Sequence, residues 1–369
     1  MRELEEKQDR LVRAVNESGL DGVLLATHHN IAWLTSGRSN RIDASREIGT
    51  ARLLVTAAGR RFVIGNAIEM PRLLDEVLTG LAFDPIELAW IDDQDPTLAV
   101  SAAQKAAGAS LGADWPLPGT VPFEPRIARA RALLTEPELD RYRTLGADAG
   151  RVVGDVCRGL APGQTEREIA IAIAYALAAV RARAIVTLIG SDERVRRYRH
   201  PVATDARWRH VVLVAVGAER DGLVVSLSRI VATASAASGL EARTVATASV
   251  FARLLDHTRT GTSGAQLFGA AADAYRAAGF PGEEQRHHQG GAAGYRSREW
   301  LAHPRSQELV QARQAFAWNP TITGTKVEET VLLVDGRLEL ITSSPGWPSI
   351  PIEPQGRALS TPGVLPISS

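Results

Sequence analysis

AFAWNPTITGTKVEETVLLVDGRLELIT (315–342) is the stretch on which the reading of the fold turns. It holds two apolar runs, 315–322 and 327–335, each of strand length and rich in β-branched and aromatic residues. Further strands are expected upstream at 184–190, 210–219 and 223–232. Helices are expected between and before them: about 240–260, 263–278, from Thr135 to Leu160, and from Thr165 to Arg181. Thr135-Glu-Pro-Glu138 and Thr165-Glu-Arg-Glu168 both read as capping boxes that open a helix. The order is therefore helix, helix, strands, stated twice, which predicts two similar halves around a central sheet.

Further outward, residues 3–18 carry apolar positions at Leu11, Val12 and Val15 among charges and predict an amphipathic helix. VLLAT (23–27) reads as a buried strand, 51–56 and 61–65 as a hairpin, and Asn66–Gly80 as helical. The four prolines of DWPLPGTVPFEPR (114–126) predict a linker. The Pro-, Ser- and Gly-rich end predicts an extended or partly disordered tail. The expected organisation is a small α/β domain over 1–120, a second domain over 121–345 and a tail over 346–369, giving an α+β protein.

At 369 residues the chain exceeds one ordinary hydrophobic core. It is 45% apolar and 23% charged, with zero formal net charge and a pI near 7.1. No charge field calls for nucleic acid or a membrane surface. Of its 42 basic residues only Lys7, Lys105 and Lys326 are lysines. GC-rich codon usage accounts for that, and composition alone does not support an Arg-lined anionic pocket. The single cysteine, Cys157, rules out an internal disulfide. The charged N-terminus is no signal peptide and no apolar run spans a bilayer, so the cytoplasm is expected.

Three stretches, in register and in order, resemble the creatinase/prolidase/aminopeptidase P family, whose second domain is the pita-bread catalytic fold. They are GLDGVLLATHHNIAWLTSG (19–37), Arg199-His200-Pro201 ahead of HVVLVAVGAERDGLVVSLSR, and the closing strands quoted above. The resemblance implies a metal site of two Asp, one His and two Glu. At those positions this chain has Ala215, Ser226, His287 or His288, Asn319 and Glu328. Two divalent ions need several carboxylates to offset their charge. One His and one Glu are fewer than the three protein ligands of a single catalytic zinc. No metal and no other cofactor is therefore expected, and metal-bound water is lost as nucleophile.

The resemblance to creatinase, which lacks metals, implies that His200 serves as general base and acid. Imidazole titrates near working pH and suits that role. HHQGGAAGYRSRE (287–299) adds His287 and His288, a possible phenolic donor in Tyr295, and Arg298-Glu299. By resemblance Arg298 binds a substrate carboxylate, for which a guanidinium is suited. Glu328, Asn319, Ser226 and Ser228 are expected at the same cavity, and Arg41 and Arg46, on SGRSNRIDASREIG (36–49), as an arm reaching an active site in a homodimer. Creatinase has a Glu at the Ser228 position, so creatine itself is not the expected substrate.

The leading expectation is a metal-independent hydrolase of a C–N bond in a small, carboxylated amide, amidine or lactam. A lyase, isomerase or cyclase of specialised biosynthesis would use the same residues. A third reading is a binding protein without catalysis, as in ligand-stripped relatives of this fold.

Overall fold

The structure is a computed structural model and describes residues 2–367. The chain divides into two compact units, Met1–Pro137 and Glu138–Ser369. In the first, α1 (Arg2–Glu17) leads to β1 (Gly22–Thr27), α2 (His28–Leu34), β2 (Ile48–Thr56), β3 (Arg61–Asn66) and the short turn α3 (Met70–Arg72). β4 (Asp84–Leu88), α4 (Pro96–Ala107), β5 (Leu111–Ala113), β6 (Val121–Pro122) and α5 (Glu124–Ala132) complete it. The sheet runs β4-β3-β2-β1-β5-β6, with β2 and β3 as the expected hairpin. Leu4, Leu11 and Val15 of α1 lie on one stripe and are buried, each contributing about 1.5–3 kcal/mol of transfer free energy.

The expected linker is a correction. Residues 114–126 are built into the first unit, with Val121 and Pro122 pairing Gly112 and Ala113 in parallel. Of the segment's prolines, Pro122 lies in the edge strand and Pro125 in the first turn of α5, two places where a missing N–H is tolerated. The first unit thus runs past residue 120.

The second unit opens with α6 (Glu136–Arg158), whose first two residues fall on the boundary, and α7 (Glu166–Ala179). Thr165 and Glu168 form the expected capping box. Then come β7 (Arg183–Ser191), α8 (Glu193–Arg197), β8 (Val211–Arg220), β9 (Leu223–Thr233), α9 (Ala234–His257) and α10 (Gly264–Ala277). β10 (Gly290–Ala293), β11 (Arg313–Trp318), the ribbon β12 (Thr321–Ile322) and β13 (Thr325–Lys326), β14 (Glu329–Val334) and β15 (Arg337–Leu340) follow. With the last strand, β18 (Val364–Ile367), two four-stranded sheets result, β18-β9-β8-β7 and β10-β11-β14-β15, each preceded by a helix pair. This is the expected pita-bread arrangement, and the protein is mixed α and β. The core behind β11 and β14 contains Phe251, Leu254, Leu267, Tyr275, Phe316, Trp318 and Val331.

The expected tail is the second correction. Residues 349–367 form β16 (Ser349–Ile352), β17 (Leu359–Pro362) and β18 (Val364–Ile367). β16 and β17 pair as a ribbon, and β18 lies parallel to β9, with Val364 opposite Ile230. Composition suggested a solvated end, but an uncovered edge of β9 supplies unpaired backbone groups that recruit a strand. Among the described residues no helix is long and apolar enough to cross a membrane.

Candidate active site

The two sheets of the second unit meet where β9 passes the start of β14. Thr330 Oγ1 donates to Ser226 O at 2.9 Å, and Ser228 N donates to Glu328 O at 3.0 Å. These bonds fix Ser226 and Glu328 relative to one another. Beside them lies a cleft of about 310 Å³ whose lining includes His200, Ala215, Ser226, His288, Arg298, Asn319, Lys326 and Glu328. All but one of these positions was expected from the sequence. Lys326 is the residue that sequence reasoning missed.

The histidine segment is held from behind. Tyr275 Oη donates to Gln289 Oε1 at 2.7 Å, Gln289 Nε2 donates to His287 O at 2.5 Å, and Asn319 N donates to Gln289 O at 3.0 Å. Gly290 follows at φ +100°, and a Cβ there would lie 2.1 Å from Ala317 O. A side chain is excluded and β10 packs directly against β11. His200 comes from the loop after α8. Its neighbour Arg199 anchors that loop by donating to Thr323 Oγ1 at 2.8 Å and pairing with Glu283.

These supports bring three imidazoles together. His287 Nε2 and His200 Nε2 are 2.9 Å apart, His287 and His288 are stacked with ring centroids 4.4 Å apart, and His288 lies 5.9 Å from His200. His288 lines the cleft, while His287 sits behind it, buried. Burial, then the Lys326 charge, lowers the proton affinity of His287 to a pKa of about 2. Burial, then Arg298 and Lys326, brings His288 to about 4. Burial and Lys326 also push His200 below the ordinary imidazole value. All three rings are neutral at pH 7.

Glu328 is gripped on both oxygens. Lys326 Nζ lies 3.1 Å from Oε2 and Arg298 Nη2 3.1 Å from Oε1. Burial pushes the carboxyl up, but Lys326 and then Arg298 outweigh it and hold it below the ordinary carboxylate range. Arg298 also donates to Ser226 Oγ at 3.2 Å, while its Nε has no hydrogen-bond partner. Asn319 Oδ1 is likewise buried and unpartnered.

Three residues expected at this cleft are not there. Tyr295 Oη donates to Glu138 Oε1 at 2.7 Å, because the ring turns toward α6. Glu299 folds back to accept from Tyr295 N at 3.1 Å. Separately, in the first unit, Arg46 of the expected arm is 70% exposed and pairs with Asp43. Ser228 is fully buried two residues along β9 from Ser226, with Oγ unpartnered, and does not line the cleft.

A model of metallopeptidase family M24 matches residues 140–335, more than half of the chain. The chain belongs to that family. Its members are hydrolases by description, and the second unit carries their fold. A probable dipeptidase PepE of Mycobacterium tuberculosis is 26% identical over 179 residues, which are 45% of this chain and 46% of that protein. That alignment spans about half the length of the curated relative. The crystal structure of dipeptidase PepE from Mycobacterium ulcerans superposes with a TM-score of 0.77 at 18% identity, covering 99% of both chains. The prolidase from Pyrococcus horikoshii gives 0.75 at 17%, over 92% of this chain and 98% of its own. At such identities the structures establish the fold.

A metallopeptidase fold implies bound metal, and the donor set tests this. Ala215, Ser226 and Asn319, the positions that the resemblance matches to carboxylates, line the cleft, and Glu328 is the one acidic residue among those lining it. Two dications do not fit a site with one carboxylate already neutralised by two side-chain cations. The sequence-based ligand count is nonetheless corrected. His200, His287 and His288 place their ligand atoms within 4.8 Å of one another, so three nitrogens converge where one was counted. The sequence separation of His200 from the pair hid this.

Proposed function

We propose that this chain is a metal-independent, creatinase-like hydrolase that breaks a C–N bond, amide, amidine or lactam, in a small carboxylated substrate, as a cytoplasmic homodimer. The observation that carries the reading is the neutral His200–His287 pair, with Nε2 atoms 2.9 Å apart, beside a cleft walled by Arg298 and Lys326. His287, held neutral by burial, shares one N–H with His200 and orients it, leaving His200 as the ring that takes up a proton. A neutral His200 removes a proton from water as the C–O bond forms and returns it to nitrogen as the C–N bond breaks. Arg298 and Lys326 favour a substrate with a carboxylate.

The test is a panel of small N-acylated and cyclic amides, assayed for amine release with and without a strong chelator. Turnover is expected to survive the chelator, and His200→Ala to lose a factor of about 10²–10⁴. Because His200 is pushed below its ordinary value, kcat/KM is expected to rise with pH up to a midpoint below 6.5 and then level off. Turnover that requires an added divalent ion, or an undiminished His200→Ala, would sink the proposal.

A further inference from the structure

A protein cation stands in the cleft, against the one acidic residue among those lining it. Lys326 ends β13, and its pairing with Thr321 across the β12–β13 ribbon fixes its backbone. It is 4% exposed, yet its side chain reaches the cleft and lies 3.1 Å from Glu328 Oε2. Arginine fills 39 of the 42 basic positions of this chain, so lysine at this one is out of pattern. An ammonium is a compact point charge, nearer in size to a metal ion than a planar guanidinium is. Arg298 completes the arrangement on the other oxygen of Glu328.

The imidazoles register this charge. Lys326 acts on His200, His287 and His288 alike, in each case against a positive charge on the ring. A dication arriving at the same three nitrogens meets the same repulsion with twice the charge. Glu328, its natural counter-ligand, is already committed. Three converging neutral imidazoles would otherwise be a good site for a borderline transition metal.

We propose that the Lys326 ammonium takes the electrostatic place of the family's metal ions and keeps the three-histidine cluster free of metal, so that its rings remain available to carry protons. This rests on the reading of the cleft as a proton-transfer site, but its test does not use turnover.

The full chain, Lys326→Arg and Lys326→Gln are each titrated with Co²⁺, read by visible ligand-field absorption and by metal content after dialysis. The unmodified protein and Lys326→Arg, which keeps the charge, are expected to hold well under one equivalent. Lys326→Gln is expected to bind one Co²⁺ per chain, with an affinity raised by roughly tenfold or more. Adding His287→Asn should remove that gain. Should Lys326→Gln not fold, Lys326→Met takes its place: it fills the same space and carries no charge. It is likewise expected to bind Co²⁺ more tightly than the unmodified protein. Stoichiometric Co²⁺ binding by the unmodified protein overturns the proposal. So does uncharged Lys326→Gln, or Lys326→Met in its place, binding no better than the unmodified protein. A metal-free cleft with a fully active His200→Ala would instead remove the reaction reading and leave this one standing.

Discussion

At Glu328 and Glu329 two successive carboxylates are both committed to cations, Glu328 at the cleft and Glu329 inside the unit. Glu329 pairs with Arg229 at 2.6 Å, both side chains 1% exposed, and accepts from Thr342. Burial pushes its carboxyl up to about 7 while Arg229 pulls it down. Arg229 also donates to Ser344 Oγ and to the carbonyls of Ser228 and Thr342, tying β9 to the chain after β15. Arg229→Met would leave a buried carboxylate unpaired and is expected to cost about 3–5 kcal/mol in urea unfolding. Adding Glu329→Gln should recover part of the loss. Burial, then repulsion from Arg298 and Lys326, makes stability depend on pH through His288. Its folded value of about 4 lies below the ordinary 6.5, so the unfolded chain takes up the proton first on acidification. The His288 contribution is complete above 6.5 and is lost as pH falls toward 4. The urea midpoint should fall over that window, and less steeply in His288→Leu.

Among the elements, β10 is where sequence and packing constrain one another most. Gly291 has Trp300 O only 2.0 Å from where a Cβ would stand, in the segment that bonds β10 through Glu299 N and Ala302 N. Gly291→Ala must push backbone apart and is expected to cost at least about 1–3 kcal/mol, measured as a fall in thermal midpoint. Since β10 continues directly from His288, the same variant should disturb the imidazole NMR signals. Thr165→Ala removes one half of the α7 capping box and should cost about 1 kcal/mol without altering the cleft. The long periodic elements were legible in advance: α1, α7, α9, α10 and strands β7 to β9 lie within a few residues of expectation, except that α9 starts earlier, at Ala234. The short ones were not. β6 and β18 carry Pro or little apolar pattern and owe their strand geometry to a neighbouring edge.

For the molecule as a whole, the C-terminal segment tests how far the second unit depends on its last strands. β18 covers the β9 edge through Ile367 opposite Thr233, and Trp347 Nε1 donates to Gly363 O at 2.9 Å to hold the ribbon. Truncation after Pro345 should uncover that edge, lower the thermal midpoint and promote association, as light scattering would report. A truncated chain that stayed monodisperse with an unchanged midpoint would make the segment dispensable.

Sequence by itself determined the family's fold, through the order and period of its long elements, and the identities Ala215, Ser226 and Asn319 at the positions that the resemblance matches to carboxylates. Residue identity at matched positions needs no coordinates. Tertiary structure alone decided which side chains meet. His200 and His287, far apart in the chain, share a hydrogen bond, Tyr295 and Glu299 turn away, and Lys326 turns in to neutralise Glu328. The physical reason is that periodicity encodes which face of an element is buried. Convergence of polar groups from separate loops depends on the packing that carries those loops together.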